Sequence, residues 1–153
     1  MTSMPKIQTK WQRFETLTAA ELYELLRFRQ NIFVVEQCSP YPDLDGLDHS
    51  AWHLAARIAN ELAGYLRLIP IAGPPALVRI GRVAVSPHRR RCGIGRTLMQ
   101  EALGFSCDRY PLQPIGLGAQ VHLASFYESF GFAATSEPYD DFGVAHVDMV
   151  LRS

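Results

Sequence analysis

The residues best suited to chemistry lie in the stretch Arg90-Arg91-Cys92-Gly93-Ile94-Gly95. An apolar run, Leu77 to Val85, precedes it, and Ile94, Leu98, Ala102 and Phe105 follow at helical spacing. A helix that starts there points unpaired N–H groups and a partial positive charge at whatever lies before it. That end of a helix is a ready phosphate site. Glycine at 93 and 95 lets the backbone approach an anion closely and adopt positive φ. The spacing Arg90-x-x-Gly93-x-Gly95 suits a pyrophosphate held by consecutive amides. Two familiar phosphate loops do not fit. No Gly-Lys-Ser/Thr is present, and Leu98 stands where a dinucleotide fingerprint needs its third glycine. The plain alternative is a basic, glycine-containing connection from strand to helix.

Other reactive residue types are scattered. Asp43, Asp45 and Asp48 read as D-L-D-G-L-D. Gly46 follows Asp45 directly and no distal glutamate is in register, which is wrong for a calcium loop. Two readings stay open: acidic groups that attract a cationic substrate, or a solvated turn with aspartates capping local backbone. His49 and His53 have zinc-like spacing but no helix and no intervening glutamate, so no metal site is expected. Cys38, Cys92 and Cys107 show no pairing pattern and no clear histidine partner, so a reduced protein without a cysteine nucleophile is expected.

The elements that position these groups can be read from periodicity. Trp11 to Phe14 reads as a first strand. Thr18 with Glu21 makes a capping box, Leu17 and Leu22 a hydrophobic staple, and Leu22, Leu25, Leu26 and Arg29 continue a helix. Ile32 to Val35 reads as a second helical piece, and the loop from Gln37 to Ser50 follows. His53 to Ile58 and Leu62 to Ile69 form a hairpin turning at Ala59-Asn60-Glu61. Leu77 to Val85 is a third long strand, and Ile115 to Ala119 a short one. Leu123, Phe126, Tyr127 and Phe130 share a helical face, with Gly131 as C-cap glycine and Phe132 as its apolar follower. Val147, Met149 and Leu151 alternate in a last strand. The order β-α-α-β-β-β-α-β-α-β-β predicts an α/β (α+β) fold with a mixed, mainly antiparallel sheet. Residues 1–153 read as one domain without a linker.

Composition narrows the classes. The 15 Lys+Arg balance the 15 Asp+Glu, so the arginines are local and a general nucleic-acid binder is not expected. No stretch reaches the roughly 18 apolar residues of a membrane span, and the segment MTSMPKIQTK lacks the apolar run of a secretory signal. A cytoplasmic protein is expected.

The segment VAVSPHRRRCGIGRTLM resembles the acetyl-CoA signature of the GCN5-related N-acetyltransferases, the GNAT family. HLASFYESFGF resembles that family's later motif, about 30 residues on. RQNIFVVEQCSPYPDLDGLDHSAWHL and RIGRVAVS resemble its ElaA-type branch. The resemblance implies a GNAT fold, with helices on both faces of the sheet, and acetyl-CoA as co-substrate without a metal. It implies that the strand carrying Val83, Ala84 and Val85 splays from Ile115–Ala119 and pairs with the pantetheine arm. It also implies that the amides around Arg90, Arg91, Cys92, Gly93, Ile94, Gly95 and Arg96 hold the pyrophosphate, and that Tyr127 serves as acid for the departing thiolate. Gln120 stands where many members have asparagine, next to the cofactor.

Direct acyl transfer to an amine needs a base. Glu36, His53 and His146 are the candidates, with Glu36 and His53 placed ahead of His146. His88 and Arg89 are expected at the rim of the phosphate site. The acceptor is a small-molecule or peptide amine, and a homodimer is left open. A module of the same fold that binds acyl-CoA without turnover is the alternative. A nucleic-acid contact through Arg89 to Arg91 is disfavoured by the zero net charge.

Overall fold

The computed structural model describes residues 6–152. An eight-stranded sheet runs in the order β1-β2-β3-β4-β5-β8-β6, with β7 also on β8. Its strands are β1 (Ile7–Arg13), β2 (Trp52–Ile58), β3 (Glu61–Ile71), β4 (Leu77–Val85), β5 (Ile115–Gln120), β6 (Ala133–Ala134), β7 (Tyr139–Asp141) and β8 (Val144–Leu151). All pairings are antiparallel except β4 with β5. The helices are α1 (Ala19–Gln30), α2 (Ile94–Arg109) and α3 (Ala124–Glu128). No helix among the described residues is long and apolar enough to cross a membrane.

The fold follows alternation. On β2, Leu54, Ala56 and Ile58 face the main core, where Ile94, Leu98, Met99 and Ala102 of α2 pack. Burying each large apolar side chain there contributes about 1.5–3 kcal/mol. Ala55 points the other way, into a smaller cluster with Leu25, Leu62 and Tyr65 under α1. Helices therefore cover both faces. On β5 and β8, Leu117, Ala119, Val147 and Met149 belong to the main core. Gly116, Gly118, Gln120, His146 and Asp148 must then face the α1 side. That face is apolar beneath α1 and polar over β4, β5 and β8.

Local signals explain the boundaries. Thr18 and Glu21 make the expected reciprocal cap. Ala59 and Asn60 both take positive φ in a two-residue hairpin, as a type I′ turn demands. Gly131 has φ +99, and the Phe132 N–H reaches back to the Tyr127 carbonyl. Three expectations change. The first strand spans Ile7–Arg13 rather than Trp11–Phe14, its polar residues on the outer edge of the sheet. The piece after α1, Asn31–Glu36, is a π-helical turn. Three strands, not two, close the chain, because Phe142-Gly143 makes a second two-residue hairpin turn with both φ positive.

Candidate active site

Parallel pairing of β4 with β5 covers only Val78 with Ile115 and Arg79 with Gly116. Beyond it β5 stays with β8 as far as Gln120, while β4 stays with β3 as far as Val85. The strands therefore splay. A bulge sharpens the divergence: Arg82, at φ +54, and Val83 together face the single residue Leu66. From Gly81 to Val85 the β5-facing edge of β4 has no ladder partner among the described residues. Backbone groups there are open to an extended ligand.

A cavity of about 780 Å³ fills this opening. Of the residues the resemblance implies, Val83, Ala84, Val85, Arg90, Arg91, Gly93, Ile94, Gly95, Arg96, Gln120 and Tyr127 line it. Cys92 is the exception. It lies in the loop but does not line the cavity, and its exposed thiol donates to the Arg90 carbonyl at 3.7 Å. Arg91 and Gly93 take positive φ, +66 and +79. The first helical bond runs from the Thr97 N–H to the Gly93 carbonyl at 3.0 Å. The amides of Ile94, Gly95 and Arg96 are left without intrahelical partners. A Cβ on Gly64 would lie 2.6 Å from Ile94 Cγ2, so β3 and the start of α2 touch backbone to side chain.

Tyr127 is buried, and burial pushes its phenol up to about 12, so it is a neutral donor at pH 7. Its hydroxyl makes no hydrogen bond among the described residues, yet it is not one of the occluded unpaired atoms. It opens to the cleft.

A second cavity, of about 370 Å³, starts where the first ends, and Val83, Gln120, Leu123 and Tyr127 line both. Its floor is the polar face of the sheet, and its roof is the loop carrying Tyr41, Pro42, Asp45 and Leu47 together with Phe142 of the β7–β8 hairpin. The Ser39 hydroxyl donates to the Phe142 carbonyl at 3.0 Å, and Tyr41 meets Phe142 edge-on at 5.5 Å, which closes the roof.

The three aspartates hold that roof down. Arg29 donates to Asp43 at 3.0 Å and to Asp48 at 2.7 Å. Arg67 donates to Asp45 and Asp48, and Arg82 to Asp43 and Asp45. Three guanidinium groups balance three carboxylates. Burial alone would raise Asp45 and Asp48; the hydrogen bonds from Arg67 and Arg29 overcome it and hold both below the usual carboxylate range. The solvated-turn reading is corrected, since Asp43 and Asp48 are buried. The cation-attracting reading fails too, because the charge is spent internally.

The candidate bases separate cleanly. Glu36 lines the first cavity, but Arg90 grips its carboxylate with bonds of 2.6 and 2.9 Å. It anchors the loop that leads into α2. His53 lines neither cavity. It is buried, with Nε2 2.9 Å from the Asp48 carbonyl and Nδ1 2.6 Å from the Tyr65 hydroxyl. Burial lowers its pKa and keeps it neutral, so His53 is corrected to a structural residue. His146, ranked last, lines the second cavity. Its Nδ1–H donates to the Val144 carbonyl at 2.9 Å, and Nε2 stands 4.0 Å from the Asp141 carboxylate. His88 and Arg89 both turn to Glu61, at 2.8 and 3.8 Å, rather than to a ligand. Residues missed from sequence are Ile32, His122, Phe126 and Val144 in the first cavity and Arg79, Tyr139 and Asp141 in the second. The Phe142-Gly143 turn signal would have brought the last two to notice.

Comparison with known proteins agrees with this geometry. Residues 27–153 match the acetyltransferase (GNAT) domain. Protein ElaA of Escherichia coli is 38% identical over 92% of this chain and 94% of its own. A UPF0039 protein of Schizosaccharomyces pombe is 39% identical over 97% of this chain and 99% of its own. The crystal structure of Escherichia coli ElaA superposes with a TM-score of 0.90 at 36% identity, covering 96% of this chain and all of that one. That of an acyl-CoA N-acyltransferase from Pseudomonas aeruginosa does so at 0.90 and 36%, covering 95% and 99%. The fold is that of the acyl-CoA N-acyltransferases, and the chain belongs to the GNAT acyltransferase family, in its ElaA-like branch.

Proposed function

We propose that this protein is an acetyl-CoA-dependent N-acetyltransferase acting on a primary amine by direct transfer. The observation that carries the reading is the early end of the β4–β5 pairing beside the free amides of α2. An open strand edge and an amide cradle in one cavity fit the extended arm and pyrophosphate of an acyl-CoA. The match to an acetyltransferase domain favours acetyl as the group carried.

When bound, acetyl-CoA supplies an acyl carbon open to attack. In this reading Ile94, Gly95, Arg96 and Arg91 bind the pyrophosphate, and the free edge of β4 aligns the arm. A backbone N–H freed from the ladder at the Arg82–Val83 bulge would donate to the carbonyl oxygen, where charge develops. His146 Nε2 takes the proton from the attacking amine as the N–C bond forms. The C–S bond breaks with its electron pair on sulfur, and the Tyr127 O–H donates to that sulfur. A phenol near 12 exceeds an ordinary thiol near 8.5 by three to four units, so completing the transfer alone would cost about 5 kcal/mol. Tyr127 therefore acts by hydrogen bonding while C–S cleavage proceeds, and bulk water completes the protonation.

The test is thiol release on mixing the protein with acetyl-CoA and a panel of primary amines, repeated with propionyl-CoA and a long-chain acyl-CoA. Amine-dependent release, fastest with acetyl, is expected. Tight CoA binding without release for any acyl group would leave only the binding-module reading.

A further inference from the structure

Three carboxylates line the two cavities: Glu36 in the first, Asp45 and Asp141 in the second. Two are committed. Arg90 holds Glu36, and Arg67 and Arg82 hold Asp45. Asp141 has no arginine or lysine within ion-pairing distance among the described residues, and its ionic neighbour is His146, at 4.0 Å. Arg79, the remaining arginine of the second cavity, shares the space over Gly118 with the Asp148 carboxylate and with the Tyr139 hydroxyl, which donates to Asp148 at 2.6 Å.

Asp141 stands where a reacting nitrogen would pass. Tyr139 pairs with His146 and Asp141 with Val144, so all four side chains share one face of the β7–β8 hairpin. Val144 lines the first cavity, and Gln120, the partner of His146 on β5, lines both. The gap of 4.0 Å between Asp141 and His146 Nε2 is too long for a direct hydrogen bond. It is the right width for a bridge. One nitrogen with bonds of about 2.8 Å to each side closes such a gap at an angle of about 90°, within the tolerance of a tetrahedral –NH3+ group.

We infer that the acceptor enters as an aliphatic ammonium ion and that Asp141, with His146 beside it, is the residue that receives it. The inference rests on the transferase reading above and adds the substrate class. Of the three ammonium protons, one leaves along Asp141 to the water that reaches this partly exposed carboxylate. One passes to His146 as the N–C bond forms, and one stays on the amide product. An arylamine, whose lone pair is drawn into its ring, is uncharged at pH 7 and gains nothing from Asp141.

The experiment compares acetyl transfer to cyclohexylamine and to aniline, which are close in size and differ in charge at pH 7. Asp141→Asn should raise KM for cyclohexylamine by about tenfold, the low end for a charge-assisted hydrogen bond at a partly exposed site, with a smaller change in kcat. Aniline should be little affected, and Asp141→Glu should restore part of the loss. Between about pH 7.5 and 9.5 the native KM for cyclohexylamine, counted as total amine, should stay nearly constant; uptake of the free base would make it fall about tenfold per pH unit. That fall overturns the inference, as does faster use of aniline by the native protein. An equal loss on both acceptors in Asp141→Asn makes Asp141 a prop for His146 and overturns it too. If no amine releases thiol, the transferase reading has failed. Ammonium recognition is then read by calorimetry of cyclohexylamine and aniline on the CoA-loaded protein at pH 7. Binding of cyclohexylamine that weakens in Asp141→Asn, with aniline unaffected, upholds the role of Asp141, and absence of that difference overturns it.

Discussion

Replacing Arg29 with methionine tests the buried charge network. Arg29 is 1% exposed and donates three hydrogen bonds: to the Asp43 carboxylate at 3.0 Å, the Asp43 carbonyl at 3.0 Å and the Asp48 carboxylate at 2.7 Å. Breaking a buried pair from one side costs about 3–5 kcal/mol. Here neither carboxylate is orphaned, because Asp43 keeps Arg82 at 2.8 Å and Asp48 keeps Arg67 at 3.1 Å. The cost should sit near the low end, about 3 kcal/mol, which in a domain of this size lowers Tm by about 6–12 °C. Asp48→Asn alone should also destabilise, leaving the cluster positive. Arg29→Met/Asp48→Asn restores neutrality, with Asp43 and Asp45 balancing Arg67 and Arg82. The double variant should therefore lose less than the sum of the singles, by about 1–3 kcal/mol. Urea unfolding at pH 7 gives all three values. A loss below about 1 kcal/mol for Arg29→Met, the level of an exposed pair, or strict additivity, would refute the idea that these charges act as one unit pinning the roof.

The same groups set the acid limb of stability. The His53 pKa is lowered in the fold, so stability should fall as pH drops below about 6.5, where the unfolded chain takes the proton first. The lowered Asp45 and Asp48 add a second fall beginning near 3.8; a flat profile from pH 7 to 3 in thermal melts would contradict both. Gly64→Ala should press on Ile94 at the start of α2, cost about 1–3 kcal/mol and weaken CoA binding in calorimetry; unchanged affinity would unlink that contact from the cradle. Tyr127→Phe should cut kcat by about a hundredfold or more while CoA still binds, and His146→Gln should lower kcat by about a hundredfold with CoA affinity unchanged. Undiminished turnover in either variant removes that residue from the mechanism.

The elements around the first cavity were legible in the sequence because most of them are consecutive. One strand, one glycine loop and one helix follow each other from Leu77 to Arg109, and their periodicities change at the right places. The second cavity was not legible, because its parts converge from distant places. The partners of Asp43 are Arg29, 14 residues earlier, and Arg82, 39 residues later. No local spacing records such pairing, so the three aspartates read equally as a solvated turn or as groups attracting a cation. His146 was ranked last for the same reason. Its tautomer is set by the Val144 carbonyl and its surroundings by β7, a three-residue strand too short for alternation to show. His53 failed as a base because the groups that bury and satisfy it, Tyr65 and the Asp48 carbonyl, come from a neighbouring strand and a 3-10 turn.

The most direct measurement is a crystal structure of the protein with CoA. The pyrophosphate should lie on the amides of Ile94, Gly95 and Arg96, the pantetheine amides should pair with β4 between Gly81 and Val85, and the sulfur should sit within hydrogen-bonding reach of the Tyr127 hydroxyl, at the mouth of the cavity holding Arg79 and His146. A CoA whose arm bypasses the splay between β4 and β5, or whose sulfur points away from Tyr127, would contradict the site described.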